Sequence, residues 1–252
     1  MYDDFGADYD RFINWQARLQ VELPFLDGQL QAANARCVLD VACGTGMHAV
    51  ALAQRDYQVV GADLSPAMVE RAQLNAAAAG VGARFEVAGF GELSTEVGKG
   101  FGAVLCLGNS LPHLLSVGAL DAALADFRAC LRKGGLLLIQ NRNFDAVVAR
   151  SERWMDPQAH REGDLEWLFL RFYDFRPDGK LVFNVMTIQR EGAGRWSQSV
   201  ASTLLRPQLQ QELTTALAKA RFGSIDCYGD MRGAPFDKDH SPNLVVTAYR
   251  AD

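Results

Sequence analysis

The sequence predicts an α/β protein built on a doubly wound, mostly parallel sheet of seven strands. Short apolar runs alternate with amphipathic segments along residues 36–140, which is the order of strands and helices that a parallel sheet requires. A glycine-rich turn, Cys43–Met47, follows the first apolar run. Two further apolar runs, Phe222–Tyr228 and Asn243–Tyr249, close the chain as its last two strands.

Residues 1–33 form the predicted N-terminal helical segment, with a helix over residues 8–33. Apolar side chains recur there at intervals of three and four residues, at Phe12, Trp15, Leu19 and Leu23. Tyr2 and Tyr9 stand near its start, where the segment would fold over a bound ligand as a lid. Whether either tyrosine contacts that ligand is left open.

Five predicted strands and three predicted helices follow in alternation. The strands are Arg36–Val41, Tyr57–Ala62, Arg84–Val87, Phe101–Leu107 and Leu136–Gln140. The helices are His48–Arg55, residues 66–79 and Gly118–Leu131. Ser65 and Pro66 are a favoured cap and first-turn residue for the second of these helices, and Gly80 is expected to end it. A later helix is predicted at Pro207–Ala220.

Residues 151–206 are predicted to be an antiparallel β unit inserted over the active site. Three extended stretches occur there, Leu165–Phe175, Leu181–Arg190 and Arg195–Leu205. Turn residues join them at Pro177–Gly179 and Gly192–Gly194. We therefore predict one domain over residues 1–252 that contains this insertion.

Composition excludes several classes of protein. The formal net charge of -5 argues against nucleic acid and anionic membranes, which select basic surfaces, and no apolar run approaches the length of a membrane span. The histidines lack metal-ligand spacing, so no metal is expected. The cysteines are scattered without a CxxC pair and indicate a reduced, cytoplasmic protein: Cys37, Cys43, Cys106, Cys130 and Cys227. A homo-oligomer is left open.

The strongest functional signal is the run Val38–Gly46 (VLDVACGTG), in which a strand leads into a glycine turn. Such glycines let the backbone approach a ligand, and an acid at the end of the second strand, here Asp63, binds ribose hydroxyls. This Rossmann-like arrangement fits either NAD(P) or S-adenosyl-L-methionine (SAM). Asp40 favours SAM, because a carboxylate there repels a pyrophosphate and attracts the amino group of a methionine moiety. The third glycine position is Ala49, which weakens the dinucleotide match.

The whole chain resembles the class I SAM-dependent methyltransferases, and within them the glycine/sarcosine N-methyltransferase group. The closer resemblance rests on Val38–Gly46, Leu105–Leu114 (LCLGNSLPHL), Gly134–Asp145 (GGLLLIQNRNFD) and the tail Tyr228–Met231. It implies that Arg18 binds the SAM carboxylate, and that Asn109 and Arg142 contact an amino-acid substrate. The sequence departs from the group at Ala88–Phe90, where an acidic residue is common. It also departs in the insertion, where Tyr173 is the only tyrosine.

From these observations we expect SAM, with S-adenosyl-L-homocysteine (SAH) as product, to lie against a defined set of residues. They are Tyr9, Arg18, Asp40, Ala42, Gly44, Gly46, Asp63, Leu64, Gly89, Phe90 and Leu107. In this set Phe90 packs on the adenine, and the backbone carbonyl of Leu107 faces the amino group.

The candidate catalytic residues are Asn109, Arg142 and His113, and each has a structural alternative. Arg142 either clamps a substrate carboxylate or pairs with Asp145. Asn109 either orients the acceptor or caps the following helix. His113 either acts as a base or is a helix residue bonded to the backbone, and His48 is interpreted as structural.

The insertion carries aromatic residues that form either a substrate pocket or ordinary sheet core and oligomer contacts: Trp167, Phe169, Phe172, Tyr173 and Phe175. The favoured function is SAM-dependent methylation of a small molecule, with the nitrogen of an amino acid or small amine as acceptor. O-methylation of a small carboxylate or phenol and a non-catalytic SAM-binding module are the alternatives.

Overall fold

The computed structural model describes residues 10–251 and contains two sheets. The strands are β1 (Cys37–Val41), β2 (Gln58–Asp63), β3 (Arg84–Val87), β4 (Phe101–Cys106), β5 (Leu131–Arg142), β6 (Gln158–Glu162), β7 (Leu165–Phe175), β8 (Leu181–Glu191), β9 (Ser197–Leu205), β10 (Phe222–Tyr228) and β11 (Asn243–Arg250). The larger sheet has seven strands in the order β10-β11-β5-β4-β1-β2-β3. The smaller sheet has four, in the order β6-β7-β8-β9.

The larger sheet confirms the predicted doubly wound architecture. Strands β1 to β5 pair in parallel, and β11 inserts antiparallel between β5 and β10. The strand order reverses between β1 and β4, and ligands bind beside the carboxyl ends of the strands at such a switch point. The loops that follow β1, β2, β4 and β5 therefore share one edge of the sheet.

Helices cover both faces of this sheet. They are α1 (Trp15–Ala32), α2 (Met47–Ala53), α3 (Pro66–Ala79), α4 (Leu93–Glu96), α5 (Val117–Cys130), α6 (Phe144–Arg150) and α7 (Gln210–Lys219), with a 3₁₀ turn at Leu111–His113. The boundaries of α3 are confirmed: the Ser65 hydroxyl accepts from Met68 N, and Gly80 takes the left-handed conformation at the end. Among residues 10–251, no helix is both long and apolar enough to cross a membrane.

Two helix predictions need correction. The continuous helix over residues 8–33 is wrong, because the chain leaves the helical path at Ile13 and Asn14. The Asn14 side chain then caps α1 by accepting from Ala17 N at 3.0 Å. The helix predicted from Pro207 begins only at Gln210, because the buried Gln208 side chain donates to Leu111 O at 2.8 Å and holds the preceding residues extended.

The inserted unit is antiparallel, as predicted, but has four strands where the sequence predicted three. The missed strand is β6, whose sequence QAHRE has no apolar alternation because it lies at the sheet edge and is largely exposed. Strands β7 and β8 pair over their full length of 11 residues. Their inner face forms one wall of a cavity beside the carboxyl ends of β4 and β5.

The core lies on both faces of the larger sheet. Strand β4 is buried along its whole length, which explains its continuous apolar sequence FGAVLC. The side chains of Phe127 on α5 and Leu26 and Leu30 on α1 are fully buried against opposite faces. This packing fixes the strand ends that carry the site.

Candidate functional site

The loop after β1 is joined to the end of β2 by backbone hydrogen bonds to Asp63. Gly44 N donates to one oxygen of the Asp63 carboxylate at 2.8 Å, and Ser65 N donates to the other at 3.0 Å. The carboxylate is thereby held at the mouth of the glycine turn.

Asp40 lies inside β1 and is almost completely buried, with 2% of its surface exposed. Its Oδ2 is buried without a hydrogen-bond partner among the described residues. Burial first, and then the negative charge of Asp63, raises the pKa of Asp40 from 3.8 to about 7, while Arg18 opposes the rise. An uncompensated carboxylate of this kind favours a cationic donor from a ligand.

The two glycines of the turn have different roles. Gly44 lines a cavity, and its backbone holds Asp63. Gly46 begins α2 with φ +76°, and a Cβ there would lie 2.7 Å from Ala72 Cβ and 2.9 Å from Phe85 Cε1. Gly46 does not line the cavity, so its missing side chain is required by packing. Contact of Gly46 with the cofactor stays a prediction.

A first cavity of about 500 Å³, here called the cofactor cavity, opens beside this loop. Five predicted cofactor residues besides Gly44 line it: Ala42, Asp63, Leu64, Gly89 and Phe90. Phe90 packs edge-on against Phe127 at 5.3 Å between ring centroids, which fixes its ring at the cavity wall. Leu64 is 74% exposed, as expected of an apolar residue at a binding surface.

Glu92 also lines the cofactor cavity, and sequence reasoning missed it. The residues after β3 lack the expected acid at Ala88–Phe90, but the chain supplies a carboxylate two residues later. Glu92 is the residue that immediately precedes α4. The signal is visible in the sequence, since Glu92 lies two residues after Phe90.

Leu107 and Gly108 form the turn after β4. Gly108 N donates to the Gln140 side chain on β5 at 2.8 Å, and Leu107 O accepts from the Ser110 hydroxyl at 2.9 Å. Gly108 takes φ +72° and lines the cofactor cavity, whereas Leu107 does not. A contact between the Leu107 carbonyl and a ligand stays a prediction.

A second cavity of about 300 Å³, here called the acceptor cavity, lies against the inserted sheet. Gly108 and His113 line both cavities, so the two meet at this point. The acceptor cavity is lined by Arg18, Asn109 and Arg142 among the predicted residues. Arg18 pairs with Glu22 on the same helix at 3.0 Å, and Glu22 in turn contacts the buried His48 at 2.6 Å.

Arg142 stands at the end of β5 and pairs with Glu152 at 2.7 Å. The alternative pairing with Asp145 is wrong, because the Asp145 carboxylate accepts from Gln210 N at 2.9 Å. The Nε of Arg142 is buried without a hydrogen-bond partner among the described residues. An arginine that lines a cavity is suited to an anionic ligand.

Asn109 takes the left-handed conformation at φ +68°. Its side-chain oxygen accepts from Arg142 N at 2.9 Å, and its backbone N donates to Gln140 O at 3.0 Å. The alternative that it caps the next helix is wrong, since the 3₁₀ turn has no side-chain cap. Asn109 instead joins the loop after β4 to the end of β5, beside the acceptor cavity.

His113 ends the 3₁₀ turn at the junction of the two cavities. Burial lowers the pKa of its imidazole to about 4, so the ring is neutral at pH 7. A neutral ring with so low a pKa is a weak proton acceptor.

The aromatic residues of the insertion divide between core and cavity. Tyr173 lines the acceptor cavity, is 1% exposed, and burial raises the pKa of its hydroxyl to about 12. Trp167 and Phe169 are buried in the sheet core, Phe172 packs on Trp154, and Phe175 is exposed. The pocket interpretation therefore holds for Tyr173 alone among the five.

Sequence reasoning also missed Arg171, Glu22 and Phe12, all of which line the acceptor cavity. The sequence feature that could have identified Arg171 is its place in a strand whose residues alternate between the two faces of the sheet. Arg171 stands at one of the inward-facing positions. Tyr9 lies outside the described residues. No group of three or more His, Cys, Asp or Glu side chains within residues 10–251 could hold a metal ion.

Residues 38–135, which carry the cofactor cavity, match the family model described as a methyltransferase domain. Residues 38–135 are therefore similar to a methyltransferase domain, and the chain has the fold of a solved SAM-dependent methyltransferase.

Curated relatives match between half and three fifths of the chain. A glycine/sarcosine N-methyltransferase from Parasynechococcus marenigrum (strain WH8102) is 39% identical over 146 residues, which are 58% of this chain and 52% of that protein. The glycine N-methyltransferase of Oryctolagus cuniculus is 35% identical over 138 residues, covering 50% and 47% of the two chains. The chain thus spans about half the length of the curated relatives it matches.

Solved structures resemble the chain over nearly its full length. A SAM-dependent methyltransferase from Clostridium acetobutylicum has a TM-score of 0.80 at 14% identity and covers 100% of this chain and 99% of that one. SAM-bound CalS10, an amino pentose methyltransferase from Micromonospora echinaspora, has a TM-score of 0.71 at 24% identity, with 95% and 98% covered. These likenesses establish the fold, including the inserted sheet.

Proposed function

We propose that the protein transfers a methyl group from SAM to the nitrogen of a small amine or amino acid. The observation that carries the proposal is the meeting of two cavities at Gly108 and His113. One cavity has acids suited to a cationic nucleoside cofactor, and the other has arginines suited to an anionic acceptor. The similarity to a glycine/sarcosine N-methyltransferase and to a glycine N-methyltransferase supports the same acceptor class.

The residues of the cofactor cavity fit SAM when they are taken together with the buried Asp40 of β1 and with Arg18, which lines the acceptor cavity. The buried, unpartnered Oδ2 of Asp40 would accept from the amino group of the methionine moiety, and Arg18 would bind its carboxylate. Asp63 would accept from both ribose hydroxyls, while Phe90 and Leu64 would contact the adenine. SAM supplies the methyl group from its sulfonium, and the rest of the catalytic effect is positioning.

At the acceptor the nitrogen lone pair forms the new N–C bond as the S–C bond breaks, and the nitrogen then loses a proton to solvent. The amine needs only to be unprotonated, so no protein base is required. We therefore assign His113 a neutral lining role. Asn109 and Arg142 would position the acceptor. The acceptor carboxylate would either replace Glu152 as the partner of Arg142 or bind Arg142 together with Glu152.

The N-terminal segment, residues 1–33, and the insertion, residues 151–206, would together enclose the acceptor. The described contacts support this: Arg18 from α1 and Tyr173 from β7 line the same cavity. Removal of residues 1–9 should raise the KM for the acceptor if this segment, with Tyr9, acts as a lid. An unchanged KM after that deletion would remove the lid from the proposal.

The first experiment combines thermal shift with an acceptor screen. SAH, NAD and NADP are titrated separately, and methyl transfer is then measured with glycine, sarcosine, small amines and phenols. SAH at about 100 times its Kd should add about 2.7 kcal/mol to the free energy of unfolding, and Asp63→Asn should abolish most of that gain. Stabilisation by NAD but not SAH would refute the cofactor assignment.

The screen also separates the alternatives. Methylated phenols or carboxylates with no methylated amine would support O-methylation. Binding of SAH with no turnover on any acceptor would support a non-catalytic SAM-binding module. A methylated amine together with SAH stabilisation supports the proposal as stated.

A further inference from the structure

Arg171 is a charged residue on an otherwise apolar face. The inner face of β7 presents Trp167, Phe169, Arg171 and Tyr173 at alternate positions. The β8 residues opposite Arg171 and Tyr173 are Val185 and Phe183, and both line the acceptor cavity with them. An arginine placed among such neighbours loses hydration that apolar contacts do not replace.

The other arginines of the acceptor cavity have carboxylate partners. Arg18 pairs with Glu22 at 3.0 Å, and Arg142 pairs with Glu152 at 2.7 Å. The guanidinium of Arg171 instead lies over the Phe12 ring at 5.3 Å, and its Nε is buried without a hydrogen-bond partner among the described residues.

The surrounding charges make Arg171 the uncompensated cation. Burial lowers the pKa of Arg171, and the nearby positive charge of Arg142 lowers it further, whereas Tyr173 and the carboxylate of Asp156 oppose this. No ion pair within residues 10–251 involves Arg171. Two guanidinium groups that repel each other across one small cavity are stabilised when anionic groups bind between or beside them.

The size of the cavity points in the same direction. A water molecule takes a share of about 30 Å³ in the liquid, so about 300 Å³ has room for roughly ten water-sized groups. Glycine has about half that number of non-hydrogen atoms. The SAM carboxylate on Arg18 would take part of this space. The cavity is nonetheless larger than glycine, and Arg171 indicates what the end of a larger acceptor should carry.

We propose that Arg171 is a second anion-binding residue, and that the acceptor is an amino acid whose side chain ends in a carboxylate or phosphate. Arg142 binds the α-carboxylate and Arg171 binds the second anionic group, with the amine between them facing Gly108 and His113. This proposal rests on the proposed function, because it takes the acceptor cavity to be the amine site.

Matched ligand pairs test the proposal without depending on turnover. The SAH-loaded protein is titrated by calorimetry with L-aspartate and L-asparagine, L-glutamate and L-glutamine, and O-phospho-L-serine and L-serine. Each pair differs mainly in the second negative charge. We expect at least one acidic ligand to bind about tenfold more tightly than its partner, and the pair that does so distinguishes a carboxylate from a phosphate.

Variants assign that preference to a residue. Arg171→Gln should reduce the ratio of the two affinities within that ligand pair to near one. Arg171→Lys, which keeps the charge, should retain part of the preference. Arg161→Gln is the matched control, because Arg161 lies on the same inserted sheet but is exposed and pairs with Glu166. An unchanged far-ultraviolet spectrum and an unchanged SAH affinity check that Arg171→Gln still folds.

Three results would overturn the proposal: equal affinities within all three pairs, no binding of any ligand to the SAH complex, or a ratio that survives Arg171→Gln. A failure of this proposal can be distinguished from a failure of the proposed function. Failure of SAH to bind removes the methyltransferase assignment itself, whereas SAH binding with methylation of neutral amines removes only the role of Arg171.

Discussion

Replacement of Asp40 by asparagine should stabilise the ligand-free protein while weakening the binding of SAH. The carboxylate is buried in β1 with an unpartnered oxygen, and burial and Asp63 raise its pKa from 3.8 to about 7. The folded state therefore holds a proton that the unfolded state has already lost. Stability is greatest below about pH 4 and falls as the pH rises to about 7.

The magnitude follows from the two pKa values. At 1.36 kcal/mol for each pH unit, the difference between 3.8 and about 7 costs the folded state about 4 kcal/mol at pH 8. The asparagine of the variant would not ionise, but its buried N–H groups would lack acceptors at a cost of about 1–3 kcal/mol. The net gain from Asp40→Asn at pH 8 is then about 1–3 kcal/mol.

Urea unfolding of both proteins at pH 5 and pH 8, with and without SAH, measures this balance. The variant should be more stable than the wild type at pH 8 without ligand, and the difference should shrink at pH 5. With SAH the advantage of the variant should be largely cancelled, because loss of a charge-assisted hydrogen bond worth about 1.5–3 kcal/mol weakens SAH binding about 10- to 100-fold. A variant less stable than wild type at pH 8 without ligand would show that Asp40 is compensated.

Three further outcomes are expected. Gly46→Ala should lower the free energy of unfolding by about 1–3 kcal/mol more than Gly80→Ala. Both glycines have positive φ, but only a Cβ at position 46 meets neighbours closer than 3.0 Å. Equal losses of stability in urea unfolding would contradict the clash. Arg142→Gln should raise the KM for the acceptor at least tenfold, while the affinity for SAH stays within twofold of the wild-type value. Glu152→Gln should not reproduce that rise in KM. A parallel loss of SAH affinity in Arg142→Gln would argue against an acceptor role. His113→Asn should leave the pH dependence of kcat/KM unchanged between pH 6 and pH 8, because the imidazole, with a pKa of about 4, is already neutral there; loss of an inflection in that range would reinstate it as a base.

The local sequence determined most elements of the larger sheet. Apolar runs buried on both faces have no solvent-facing alternation, so a strand such as β4 is recognisable from composition alone. Ser65, Pro66 and Gly80 set the ends of α3 through capping chemistry that acts over three or four residues. The sequence likewise singled out Asp40, Gly44 and Asp63 as candidate cofactor residues, because a strand, a glycine turn and a second strand-end acid are close in sequence.

Only the tertiary structure decided which side chains share a cavity and what charge each carries there. Arg142 took Glu152 rather than Asp145 as its partner because α6 turns Asp145 towards Gln210. Gly46 looked like a ligand glycine, yet Phe85 and Ala72, remote in sequence, require it for packing. Arg171 carried no motif at all, because its significance comes from the burial of an unpaired guanidinium between two sheets, and burial is set by contacts across the whole chain.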